Sequence, residues 1–93
     1  MNIQLNYRGQ LAIAAKCPSE EINPRPGTSI ADIIRAAAAR HGEDFSKLVL
    51  TSDGTFRSTL LVALDGEQVQ DPEAAQIPDS AKELTLLPPI AGG

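Results

Sequence analysis

One segment of the chain is committed to a helix, and that commitment limits what the rest can form. Ile30, Ile33, Ile34, Ala37, Ala38 and His41 recur at helical spacing and share one face, so the segment must lay an apolar stripe on another element. Thr28-Ser29 stands before it, and Asp32 follows Ser29 by three residues, as in a capping box, where the helix dipole also favours an acid. Gly42 supplies the stop. His41 reads as a helix-end residue, because no nucleophile or acid partner for catalysis is identifiable.

Strand-like patterns surround this helix. Asn2-Ile3-Gln4-Leu5-Asn6-Tyr7 alternates polar and apolar residues, the period of a strand with one buried face. From Arg8 to Lys16 the sequence allows either a hairpin turn at Gly9 or a helical turn over residues 10–15, and propensity favours the helix. Glu20 to Asn23 fits a weak strand whose charges and following Pro24 suit a sheet edge. Beyond Leu48-Val49-Leu50, Ser52-Asp53-Gly54 marks a turn, and the apolar run Leu60 to Leu64 predicts a strand buried within the sheet. Asp65-Gly66 predicts a hairpin, Glu67-Gln68-Val69 a short return strand, and Asp71 to Ala81 a connecting loop before a last strand from Glu83 to Leu87. This order predicts an α+β domain over residues 1–89, a mixed sheet packed on one main helix, with Ile3, Leu5, Val62, Leu84 and Leu86 against the Ile30/Ile33/Ile34 face. Such an order is the β-grasp, or ubiquitin-like, pattern.

Bulk properties exclude several functions. At 93 residues there is room for one core, and 42 % apolar with 22 % charged residues is a globular composition. The longest apolar runs fall far short of the roughly 20 residues of a membrane-spanning helix, and the N-terminus shows no signal pattern, so a cytoplasmic address is expected. A net charge of −4 with scattered Lys and Arg does not make a nucleic-acid footprint. Cys17 is the only cysteine, and by itself it predicts neither a redox pair nor a metal site, so it is expected to be structural.

The C-terminal end carries the chemistry. Leu86-Leu87-Pro88-Pro89-Ile90-Ala91 runs into Gly92-Gly93, and glycines without Cβ atoms are thin enough to thread a narrow channel. An α-carboxyl with a pKa of about 3.3–3.7 is ionised at neutral pH and is a competent nucleophile toward the α-phosphate of ATP. Residues 90–93 form a tail that extends roughly 13–14 Å, and Pro88-Pro89 fixes two successive φ angles to hold its exit straight. If Leu84 and Leu86 face the core, Leu87 turns outward beside the tail. Gly92 and Gly93 are therefore the expected reactive residues. Leu87, Pro88, Pro89, Ile90, Ala91 and Tyr7 are the expected partner-binding residues.

Leu86-Leu87-Pro88-Pro89-Ile90-Ala91-Gly92-Gly93, with Thr28-Ser29-Ile30-Ala31-Asp32 and Leu64-Asp65-Gly66-Glu67, resembles the MoaD/ThiS family of ubiquitin-like sulfur carriers, most closely its molybdopterin synthase branch. The resemblance spans nearly the whole chain. It implies that a ubiquitin-activating-type adenylating enzyme, using ATP and magnesium, activates Gly93, and that a sulfur donor converts it to a thiocarboxylate. It further implies that the molybdopterin synthase large subunit receives the tail in a heterotetramer, where sulfur passes to a pterin precursor in molybdenum cofactor synthesis. The chain itself would bind no cofactor. Two other readings are a sulfur carrier for thiamine or another pathway, and a ubiquitin-like modifier conjugated to proteins through Gly93. A β-grasp interaction module with an inert tail is a third.

Overall fold

The computed structural model describes residues 1–88. Along them run β1 (Ile3–Tyr7), α1 (Gln10–Ala15), β2 (Ser19–Ile22), α2 (Ile30–His41), α3 (Glu43–Val49), β3 (Leu61–Leu64), β4 (Glu67–Gln68) and β5 (Glu83–Leu87). The strands form one five-stranded mixed sheet in the order β2-β1-β5-β3-β4. β1 and β5 are parallel and the other neighbouring pairs antiparallel. This is the expected β-grasp arrangement, with three helices around the sheet. None of the helices among the described residues is long and apolar enough to cross a membrane.

After Arg8 the helical alternative is the one realised. α1 places Leu11 and Ala15 in the core and ends at Lys16, which takes a left-handed φ of 62°. α2 starts as its sequence predicts, with the Ser29 hydroxyl accepting the Asp32 N–H at 3.0 Å. Gly42 then turns the chain at φ 91°, a backbone conformation that carries no Cβ penalty in glycine, and α3 follows without a connecting loop. The sequence reading assigns no helix here. Glu43 and Asp44 sit in the first turn of α3, where the dipole favours them, and Phe45 and Val49, one turn apart, are both fully buried.

The core lies on one face of the sheet. Ile3, Leu5, Val62, Leu84 and Leu86 meet Ile30, Ile33 and Ile34 as expected, and Phe45, Val49 and Ile77 complete the layer. On the opposite face Asn6 is the one buried polar residue among those described; it accepts from Gln4 Nε2 at 2.8 Å and donates to Thr85 Oγ1 at 3.1 Å. β3 departs from expectation. Its run is continuously apolar, yet Leu61 is 44 % exposed, because the helices cover only the core face. The connection after β4 is a loop, as its prolines and acids indicate, but it is stitched to the start of α2: the Ile30 N–H donates to the Ala75 carbonyl and the Ile77 N–H to the Thr28 carbonyl. Arg35 reinforces this, lying 4.7 Å over the Phe56 ring and donating to Glu73 at 2.9 Å. At the β3–β4 turn the Asp65 carboxylate accepts the N–H groups of Lys82 and Glu83 at 3.0 and 2.9 Å, fixing where β5 begins.

Phe45 tests whether α3 belongs to the core. Phe45→Ala should cost about 3–5 kcal/mol, read from the shift in urea midpoint. A loss below about 1 kcal/mol would place α3 outside the cooperative unit.

Candidate functional site

The candidate site is the exit of the chain from β5. In the parallel ladder Tyr7 lies opposite Leu86, and the Arg8 N–H donates to the Leu86 carbonyl at 3.2 Å. On the other side Leu61 lies opposite Leu87. The end of β5 is therefore held by neighbours on both edges. Just beyond it Pro88 rests on Gly9: a Cβ at Gly9 would stand 3.3 Å from Pro88 Cγ, and the φ of 54° at Gly9 strains any L side chain. A glycine there lets the turn into α1 close against the first proline of the exit.

Alternation along β5 buries Leu84 and Leu86 and turns Leu87 to the other face, as the sequence predicts. Leu87 is half-buried rather than open. Leu61 beside it is the more exposed of the pair, and together they form an apolar spot on the outer face next to the exit. Ile13 of α1 is 78 % exposed. Sequence reasoning missed Leu61 and Ile13, since an apolar residue in an apolar run gives no sign of which face it takes. Pro89, Ile90, Ala91, Gly92 and Gly93, expected to carry partner contacts and chemistry, lie outside the described residues.

Tyr7 requires a correction. Expected at a partner surface, it is 1 % exposed, because it alternates with Leu5 and Ile3 on the core face of β1. Its ring packs edge-on against Phe45, with centroids 5.1 Å apart, and against His41 at 5.5 Å. Its hydroxyl donates to Glu20 Oε2 at 2.7 Å. The same carboxylate oxygen meets His41 Nε2, and Arg40 donates to Oε1 at 3.0 Å. Burial, followed by the hydrogen bond to Glu20 and its charge, pushes the Tyr7 hydroxyl well above the ordinary phenol value. Burial opposes ionisation of Glu20 too, but the hydrogen bonds from Tyr7 and His41 and the charge of Arg40 outweigh it and hold the carboxyl below the usual range.

Cys17 lies at the edge of this network. One donor atom each from Cys17, Glu20 and His41 falls within 4.8 Å of the others. The sequence separates these residues by 3 and 21 positions, so no motif spacing announces the cluster.

A model of the ThiS family matches residues 5–93. No curated protein matches the chain. Among solved structures the chain is similar to SAMP1 of Haloferax volcanii, with a TM-score of 0.85 at 20 % identity, covering 100 % of both chains. It is similar to Urm1 of Trypanosoma brucei, with a TM-score of 0.76 at 14 % identity, covering 99 % of this chain and 95 % of that one. It is also similar to a chain in the complex of subunits 1 and 2 of molybdopterin-converting factor from Helicobacter pylori, with a TM-score of 0.61 at 17 % identity and full coverage of both chains. At these identities the structural likeness speaks for the fold.

Two outcomes follow from the geometry. Gly9→Ala should destabilise the domain by about 1–3 kcal/mol in urea unfolding and shift the NMR resonances of Pro88, whereas a change at an unstrained turn would leave both near wild type. Because the Glu20 carboxyl is held low in the fold, the unfolded chain takes up its proton first; stability should fall as the pH drops below 4.5, its ordinary value, and continue falling to the lower folded value. In chelator-treated protein, Glu20→Ala should remove that part of the acid-side slope and, by taking away the charged acceptor of the Tyr7 hydroxyl and leaving it only His41 Nε2 at 3.3 Å, cost about 1–3 kcal/mol at neutral pH.

Proposed function

This chain belongs to the ThiS family of ubiquitin-like sulfur carriers, and from that premise we propose that it delivers sulfur from a thiocarboxylate at Gly93 to a pterin precursor in molybdopterin synthesis. The observation that carries the reading is a continuous one: the family match runs through residue 93, and β5, which leads into those residues, is clamped on both edges and steered by the Gly9–Pro88 contact. A carrier needs a rigid body and a directed exit. It needs no catalytic side chain of its own.

The proposed chemistry begins with the ionised Gly93 carboxylate. It attacks the α-phosphorus of ATP on a ubiquitin-activating-type enzyme, which holds the magnesium, and pyrophosphate leaves. A sulfur donor then supplies sulfur at the sulfide level to the acyl carbon, and AMP departs with the displaced oxygen. The product is a C-terminal thiocarboxylate. Recognition falls to the domain, where the Leu61/Leu87 spot lies beside the exit and suits an apolar contact with the activating enzyme or with a large subunit. The H. pylori complex, in which a similar fold is paired with subunit 2, supports a large-subunit partner, and the Pro88-Pro89 pair favours this branch over a thiamine carrier.

A second reading is supported by the likeness to the small archaeal modifier protein of H. volcanii: Gly93 would be joined to lysines of other proteins after the same activation. The product distinguishes the two. Incubation with an active cognate adenylating enzyme, ATP and a sulfur donor should raise the protein mass by one oxygen-to-sulfur exchange. Higher-mass protein adducts without any pterin product would move the assignment to the modifier. Deleting Gly93 should abolish loading while shifting Tm by less than about 4 °C.

A further inference from the structure

The proposed sulfur chemistry does not use the side chains gathered at the edge of the sheet below α2. Cys17 lies between α1 and β2, Glu20 in β2 and His41 in the last turn of α2, and their sulfur, carboxylate oxygen and imidazole nitrogen fall within 4.8 Å of one another. The geometry points to a zinc site formed by these three residues, with water as the fourth ligand.

The donor set carries the choice of ion. A thiolate, an imidazole and a carboxylate are the three ligand types of zinc, and hard cations such as magnesium or calcium avoid sulfur. With Zn–S near 2.3 Å and Zn–N and Zn–O near 2.0–2.2 Å, tetrahedral donors stand roughly 3.3–3.6 Å apart, so from separations within 4.8 Å the sulfur side needs to contract by about an ångström at most. The contacts of His41 Nε2 with Glu20 Oε2 and with the Tyr7 hydroxyl at 3.3 Å must open to admit the ion. Each ligand comes from a separate part of the fold, and all three are half-buried, with 24 % of the Glu20 and 17 % of the His41 side chain exposed, which leaves a path for the ion and for its water.

Outer contacts are in place as well. Tyr7 donates to Glu20 Oε2 at 2.7 Å and Arg40 to Oε1 at 3.0 Å, so the carboxylate is oriented from behind, as metal-binding carboxylates generally are. Arg40 addresses the oxygen turned away from His41, and the charges of thiolate and carboxylate balance a divalent ion. On binding, the Cys17 thiol proton passes to solvent. The imidazole keeps one proton on Nδ1 and gives its Nε2 lone pair to the metal.

Tag-free full-length protein, freed of metal by chelation, provides the test. Titration with Co²⁺ should give one equivalent of a complex with a thiolate-to-metal absorption band, and Zn²⁺ should displace it. Zn²⁺ should also raise Tm and slow alkylation of Cys17, while Mg²⁺ at the same concentration does neither. Cys17→Ser should abolish the band, and Cys17→Ser and His41→Gln should each weaken Zn²⁺ binding by more than about 100-fold, since loss of an outer contact alone costs 10–100-fold. Absence of the band, equal stabilisation by Mg²⁺, or unchanged Zn²⁺ affinity in Cys17→Ser would overturn the assignment. Cys17→Ser changes one atom at a half-buried position, so it decides the matter even where His41→Gln fails to fold, with circular dichroism as the check.

Discussion

Parallel pairing of the first and last strands is the constraint on which the remaining structure depends. Two parallel neighbours cannot be joined by a tight turn, so the chain between Tyr7 and Glu83 must cross one face of the sheet, adding β2 beside β1 and β3 with β4 beside β5 on the way. The returning chain supplies the helical layer, and that layer buries the face which β1 and β5 share. Closing so long a loop costs chain entropy before any contact repays it, so the central ladder forms only together with the core that covers it. The edges are lighter: β4 has two residues and β2 carries Glu20 and Glu21, which discourage further strand pairing.

Tyr7 joins the sheet to the helices. It stands at the end of the central strand, packs on Phe45 of α3 and His41 of α2, and reaches Glu20 of the edge strand. Four elements therefore meet around one phenol. A polar group so deeply placed is tolerated because its hydroxyl has an ionised acceptor, and Arg40 stabilises that acceptor from the solvent side. The same residue lies opposite Leu86 in the ladder, so the helix junction and the chain exit share a backbone position.

Much of this was legible in the sequence wherever a short-range period decides the structure. Strand alternation placed β1, the apolar stripe and Ser29 placed α2, and Asp65-Gly66 placed the hairpin. Other features depend on what lies opposite in space. α3 is only seven residues long and begins at the glycine that ends α2, so the stop signal hid a second start, although Phe45, Leu48 and Val49 hold helical spacing. Leu61 sits in an unbroken apolar run, where period carries no information about face. Tyr7 extends the alternation of Ile3 and Leu5, and that period places it inside. Glu20, His41 and Cys17 come together only through the β1–β2 pairing and the packing of α2, neither of which local spacing encodes. At the chain exit, the contact of Pro88 with Gly9 was not readable, because it joins residues 79 positions apart.

The direction of β1 has a practical corollary. Since it runs parallel to β5, Met1 lies at the end of the sheet where β5 begins, with its amino group on Asn23 Oδ1 at 2.9 Å, and the five residues of β5 separate that end from the exit by about 16 Å. An affinity handle, fluorophore or surface anchor attached ahead of Met1 therefore projects from the opposite pole of the domain. The protein can be immobilised or labelled there with its exit pole facing solution.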